Sequence, residues 1–323
     1  MLSKKVLLAI FFILLAVFGT QAVAQTDNRP IRMIVGFPPG QATELVARAL
    51  ATHLSAELDR PVIVDNRPGQ GGSIALGALV KAPSDGSVIT LSALAAYVIN
   101  PHLYKNVPYD VLKDIEPVAL VAEIPVVLVI NPSLDVNSFA DLIKYVKANP
   151  GKVAHSSSGS GTVSHLGMQD LKQRAGLNML HVPYQGSASA MIDLINNNVQ
   201  VGFDSVAATK GFIDSKRLKI LATATLKRLP MFPQTPTIAE LGYPGFEVSA
   251  WTGVSVPAGT PSTVCERLNA AIVKIVKSPK FVAQMEALGA VPRSSSIEEF
   301  KSFIRTEDER WRKLVISSNA TVE

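Results

Sequence analysis

Ile31-Arg32-Met33-Ile34-Val35 is followed by Gly36-Phe37-Pro38-Pro39-Gly40-Gln41-Ala42-Thr43, and then by Leu45, Val46, Ala49, Leu50, Leu54 and Leu58. The first run is short and β-rich, the second has the Pro/Gly chemistry of a turn, and the third recurs at helical spacing, so the segment reads strand, loop, helix. The same order follows downstream: residues 61–64 supply a strand, Gly69-Gln70-Gly71-Gly72 a turn, residues 73–81 a helix and residues 88–91 a third strand. Strands alternating with helices in this way predict a parallel α/β sheet.

Past a Pro- and Tyr-rich stretch around Pro101 and Pro108, residues 126–130 form an apolar strand long enough to cross between domains. A second α/β series begins there, with helices over residues 139–148, 163–175 and 188–196 and strands over 179–182, 199–203 and 218–223. Residues 246–256 are a further extended segment, and helices over 263–277, 280–288 and 297–315 finish the chain. These last helices have too few intervening strands to build a third sheet. The simplest arrangement returns the chain to the first domain, which makes two crossings and a cleft between two lobes.

At the N-terminus, Lys4 and Lys5 precede a thirteen-residue apolar run over positions 6–18 and then Ala22-Val23-Ala24. That is the layout of a secretory signal, with cleavage expected after Ala24. The run is short against the roughly 20 residues needed to span a bilayer. The remaining 299 residues are enough for two ordinary domains. The single cysteine, Cys265, cannot form an internal disulfide, so a hydrophobic core has to carry stability. The net charge of +5 falls to +3 once the two N-terminal lysines are removed. This modest excess is compatible with anionic ligands, and without a clustered basic stripe nucleic acid is not expected as a partner.

The serines and glycines do not form a recognised catalytic motif. Ser156-Ser157-Ser158-Gly159-Ser160-Gly161 contains no G-x-S-x-G elbow, and His165 nearby has no orienting acid in sequence, so an enzyme is not expected. His53, His102, His155, His165 and His181 show no metal-ligand spacing, and neither a metal nor a cofactor is expected. Gly69, Gly71 and Gly72 do not complete a dinucleotide-binding fingerprint, because Ile74 occupies the last glycine position. They read as a tight turn, with direct ligand contact as the alternative.

What remains is a pair of loops placed before helices, residues 37–43 and residues 156–162. Unpaired N–H groups and the positive end of a helix dipole bind anions at such places, and small hydroxyl residues add donors without filling the space.

Residues 31–43 and Asp65-Asn66-Arg67-Pro68-Gly69-Gln70-Gly71-Gly72 resemble the opening signatures of the Bug family, the periplasmic receptors of tripartite tricarboxylate transporters. Pro108-Tyr109-Asp110, His181-Val182-Pro183-Tyr184-Gln185-Gly186, Trp251-Thr252-Gly253 and Pro257-Ala258-Gly259-Thr260-Pro261 continue the resemblance in order, over essentially the whole mature chain. It implies two Rossmann-like α/β lobes joined by crossing strands, like other periplasmic binding proteins. The first lobe would be discontinuous, residues 25–125 and 246–323, and the second would be residues 126–245. A small organic carboxylate or acidic amino acid would be held in the cleft without turnover and passed to a membrane permease of the tripartite tricarboxylate type. A periplasmic monomer is expected.

On the matching positions, Phe37, Pro38, Gly40 and Thr43 are assigned to one wall of the ligand site, and Ser157, Gly161 and Thr162 to the other. His165, Gln41 and Glu44 are assigned to loop support. Asp204 either receives a polar or amino group of the ligand or caps a helix. The family has paired glycines and an aspartate in the first loop where this chain has Gly40-Gln41 and Glu44, a change that bears on pocket size and ligand preference. A ligand-loaded signalling receptor and a secreted hydrolase are the competing functions.

Overall fold

The computed structural model describes residues 29–318, so the signal sequence and its cut after Ala24 lie outside the described residues. The chain starts with β1 (Ile31–Val35), α1 (Ala42–Leu58) and β2 (Val62–Asn66), followed by a 3-10 turn at Gln70–Gly72, α2 (Ser73–Leu79) and β3 (Val88–Ala93). β1 lies between β2 and β3 and is parallel to both, with Ile34 opposite Asp65 on one side and Thr90 on the other. Residues 94–103, for which the apolar pattern predicts no element, wind into a π-helical turn at Ala95–Ile99 and α3 (Asn100–Leu103). Ala96, Tyr97, Val98 and Ile99 are all buried there, and a segment with no polar face has no 3.6-residue period to read.

The crossing strand expected over residues 126–130 is the last third of β4 (Ile115–Ile130). Its first part runs antiparallel to β9 (Ser249–Pro257), from Ile115 opposite Pro257 to Pro125 opposite Ser249. Its last five residues pair instead with β7 (Val201–Ser205) and β8 (Lys219–Thr223). Glu116, Pro117, Glu123 and Pro125 interrupt the apolar pattern and hide the strand's length. The register slips between Pro117 and Ala119, so the proline sits where the ladder is already broken.

Between β4 and β8 the chain makes α4 (Phe139–Ala148), β5 (Ala154–Ser157), α5 (Val163–Ala175), β6 (Leu180–Pro183), α6 (Ser187–Ile195), β7 and α7 (Val206–Asp214). β5 is parallel to both β6 and β7. The short helix α7 has no counterpart in the sequence-based expectation. Its Ser205 N-cap accepts the Ala208 N–H, and Ala207, Ala208 and Gly211 leave little apolar periodicity to detect. The strand order is β2-β1-β3-β9-β4-β7-β5-β6, a mixed sheet rather than a purely parallel one.

The chain returns through β9 to α8 (Ser262–Val276), α9 (Pro279–Ala287), β10 (Val291–Pro292) and α10 (Ile297–Ser318). α10 buries Phe300, Ile304, Glu307, Trp311 and Val315, a stripe at helical spacing. One continuous core joins Ile34, Leu76 and Tyr97 of the first lobe to Leu166 and Phe203 of the second through Trp251, Phe300 and Trp311. Trp251 stacks on Tyr97 at 5.3 Å and meets Phe300 edge-on at 5.6 Å. The Trp251-Thr252-Gly253 motif therefore belongs to the junction between lobes. A Cβ on Gly253 would stand 2.2 Å from the Phe300 ring, so only glycine lets α10 lie this close to β9.

Candidate functional site

The loops that follow β1, β5, β6 and β7 all leave the carboxyl ends of their strands. In open α/β sheets, that edge is where ligands bind. The two lobes meet along it. A Cβ on Gly186 would lie 3.9 Å from the Gln41 amide nitrogen, and a Cβ on Gly161 would lie 2.1 Å from Leu103 Cδ2.

In the first lobe, Asn66 Nδ2 donates to the Phe37 carbonyl at 2.8 Å and ties the β1 loop to the end of β2. The Glu44 side chain is only 1 % exposed and folds back, accepting the Gly40 N–H at 2.9 Å and the Arg48 guanidinium. Gly40 takes φ +87°, a left-handed conformation that favours glycine. Phe37 is half-buried against Gly72, Thr43 is buried, and Pro38 and Gly40 are exposed. Gln41 makes no capping bond to α1 and reaches toward Gly186 of the other lobe, so its side chain is not placed to brace its own loop. The N–H groups of Ala42 and Thr43, at the start of α1, carry the positive end of a seventeen-residue helix.

In the second lobe, the Ser157 side chain is turned inward. The residue is 1 % exposed, its Oγ and His181 Nε2 share a hydrogen bond of 2.7 Å, and it also engages both the carbonyl and the N–H of Gly159. Its hydroxyl shapes the loop and is not presented to the cleft. Thr162 is the N-cap of α5: it accepts the His165 N–H at 3.4 Å and donates to the Gly159 carbonyl at 2.7 Å. Ser164, which sequence reasoning did not single out, accepts the Ser158 N–H at 2.9 Å. A single N-cap hydroxyl satisfies one of the first N–H groups, so the Thr162 side chain leaves those of Val163 and Ser164 uncapped at the start of α5.

His165 Nδ1 accepts the Gly161 N–H at 3.1 Å. The His165 and His181 rings stack at 4.0 Å and 5°, and the far face of His181 meets His155 at 4.9 Å and 18°. Burial holds His165 and His181 down to about 4 and His155 well below 6.5, with the Lys172 ammonium acting in the same direction. Stacked rings turn their nitrogens away from one another, and among the described residues no group of three or more His, Cys, Asp or Glu can hold a metal ion.

Asp204 lies at the end of β7. Its Oδ1 accepts the Ser205 N–H at 2.7 Å and the Ser187 hydroxyl at 2.9 Å, joining the starts of α6 and α7. Its Oδ2 is buried and has no hydrogen-bond partner, and burial pushes the carboxyl up to about 6.

Residues 46–320 match the family model described as "Tripartite tricarboxylate transporter family receptor". The chain is 37% identical over 321 residues to protein BugT of Bordetella pertussis, covering 98% of each chain. It is similar in structure to an R. palustris protein solved with adipate, with TM-score 0.84 and 31% identity over 91% of this chain and 99% of that one. The periplasmic binding protein BugD superposes with TM-score 0.80 at 34% identity, covering 91% of this chain and 99% of its own. MatC from Rhodopseudomonas palustris, solved with bound malate, superposes with TM-score 0.77 at 28% identity, covering 89% of this chain and 99% of its own. The chain belongs to the tripartite tricarboxylate transporter receptor family.

Proposed function

We propose that this chain is a periplasmic receptor that captures a small organic carboxylate between its lobes and delivers it to a permease of the tripartite tricarboxylate type, without chemical turnover. The observation that carries the reading is the approach of the α1 start in one lobe to the α6 start in the other, where a Cβ on Gly186 would lie 3.9 Å from the Gln41 amide nitrogen, beside the small-residue loop that opens α5. Relatives solved with adipate and malate support a dicarboxylate ligand. The first 24 residues act as the export signal, and the lobes divide the chain as 25–125 with 246–323 against 126–245.

Within the cleft, Phe37, Pro38, Gly40 and Thr43 line the first wall, with Ala42 and Thr43 N–H groups as donors. Gly161 and Thr162 line the second, with Val163 and Ser164 N–H groups as donors and Ser157 shaping the loop behind them. Asp204 Oδ2 becomes the acceptor for a hydroxyl or amino group of the ligand when the lobes part. Such a contact would repay the burial of that unpartnered oxygen.

A thermal-shift screen of adipate, malate, aspartate and citrate against the mature protein tests the reading. A ligand at 100 times its Kd stabilises the folded state by about 2.7 kcal/mol. A carboxylate that raises the melting temperature and is recovered unchanged supports a receptor. Turnover of a bound ester or amide would replace this reading with an enzyme.

A further inference from the structure

We propose that the three stacked imidazoles are positioning residues: they hold the loop at residues 157–162 in its anion-binding shape only while they are neutral, so ligand release is favoured by acid. The inference rests on the carboxylate-receptor reading, and it concerns residues that the reading does not itself use.

The register of β5 and β6 sets His155 opposite His181, and α5 lays His165 over the other face of His181. Two of the side-chain contacts to the loop come from this stack. His181 Nε2 meets Ser157 Oγ at 2.7 Å, and His165 Nδ1 accepts the Gly161 N–H at 3.1 Å. That second bond fixes the tautomer: Nδ1 has to be the bare nitrogen, leaving the proton on Nε2, which bonds Gln169 only when that amide is turned to present its oxygen in place of the nitrogen 3.3 Å away. A second proton on His165 would have to sit on Nδ1, directly against the Gly161 N–H, with donor facing donor. The loop would then have to move. Gly161 is the residue that Leu103 of the first lobe packs against, so the displacement is felt at the meeting of the lobes.

The surroundings give no compensation for a charged ring. His155 is fully buried and neither of its ring nitrogens has a hydrogen-bond partner. The charge acting on all three rings is the Lys172 ammonium of α5, which also donates to the Met179 carbonyl at 2.9 Å. The carboxylates on the neighbouring elements are engaged elsewhere, Asp170 with Arg174 on α5, and Asp204 with Ser187 and the Ser205 backbone beyond β7.

The test has a ligand-free arm and a ligand arm. In the ligand-free wild type, NMR titration from pH 8 to pH 4 should show the Gly161 amide resonance moving with the His165 ring. A ring that titrates while the Gly161 amide stays still overturns the proposal, whatever the protein binds. In the ligand arm, calorimetry with malate at pH 7 and pH 4 compares wild type, His165→Asn and His165→Phe, each first confirmed as folded at both pH values by circular dichroism. Asparagine keeps an acceptor near the Nδ1 position and cannot titrate, so His165→Asn should bind like wild type at pH 7 and lose affinity less at pH 4. The difference between those two proteins removes the protonation of malate itself. His165→Phe should bind roughly tenfold or more weakly at both pH values, as expected for a lost bond that shapes a charged site. Identical pH profiles for wild type and His165→Asn, or wild-type affinity in His165→Phe, contradict the proposal. If malate binds to none of the three, the receptor reading loses support on its own, and the Gly161 titration decides the imidazole proposal.

Discussion

Gln41 of the first lobe and Gly186 of the second stand so close that a Cβ on Gly186 would lie 3.9 Å from the Gln41 amide nitrogen. The side chain that stands where the family resemblance leads to a glycine is therefore the one that reaches across the cleft. Gln41→Gly removes this reach and leaves both helix starts intact. Carboxylate affinity should fall by a factor of about 2 to 10, corresponding to one neutral hydrogen bond of roughly 0.5–1.5 kcal/mol. Isothermal calorimetry on the two proteins reads the difference.

Gly161 offers the opposite experiment. A Cβ there would be 2.1 Å from Leu103 Cδ2, and the residue has φ +75°. Gly161→Ala should resist closure of the lobes, leaving a larger radius of gyration with saturating ligand than the parent shows. Leu103→Ala in the same chain should relieve the clash and restore compaction in small-angle scattering.

Glu307 is a buried carboxylate that holds two indoles, accepting from Trp251 Nε1 at 3.1 Å and Trp311 Nε1 at 3.0 Å, and it also pairs with Arg310. Glu307→Ala leaves those donors buried without a partner. A loss of about 3–5 kcal/mol in unfolding free energy is expected, as for removal of one partner of a buried pair. Urea denaturation measures it. Glu307→Gln, which keeps an acceptor, should cost less.

The buried imidazoles also make stability depend on pH. His165 and His181 are held to about 4, so the unfolded chain binds protons from 6.5 downward while the folded chain does not. Their contribution is fully present above pH 6.5 and is lost as pH falls toward 4. It amounts to on the order of 2 kcal/mol for each ring after allowance for partial exposure. Asp204, pushed up to about 6, acts in the reverse sense: its buried charge costs stability above pH 6, and acid relieves that cost. Asp204→Asn should therefore gain about 1–2 kcal/mol at pH 8 and nothing near pH 4. Denaturant melts at the two pH values separate the effects.

Much of this molecule is visible in its apolar spacing. The helices Phe139–Ala148 and Val163–Ala175 coincide with their expected bounds because each has one buried face and an N-cap hydroxyl, Ser138 and Thr162. The features that escape are those in which sequence distance and spatial distance part company. His155, His165 and His181 show no ligand-like spacing; the parallel register of β5 with β6 sets His155 against His181, and the packing of α5 adds His165. Placing those two strands side by side would have revealed the His155–His181 pair, but not His165. Ser157 illustrates the other difficulty. A hydroxyl in a Ser/Gly loop has the same sequence signature whether it faces the ligand or turns inward, and here His181 decides the direction.

The account stands or falls on whether the two helix starts bind the anion. Backbone amide NMR of the mature protein, titrated with the best carboxylate from the thermal screen, tests this most directly. The predicted result is that the resonances of Ala42, Thr43, Val163 and Ser164 move together along one saturable isotherm. A carboxylate that binds at the same affinity while these four amides stay unmoved would contradict it and place the site elsewhere in the protein.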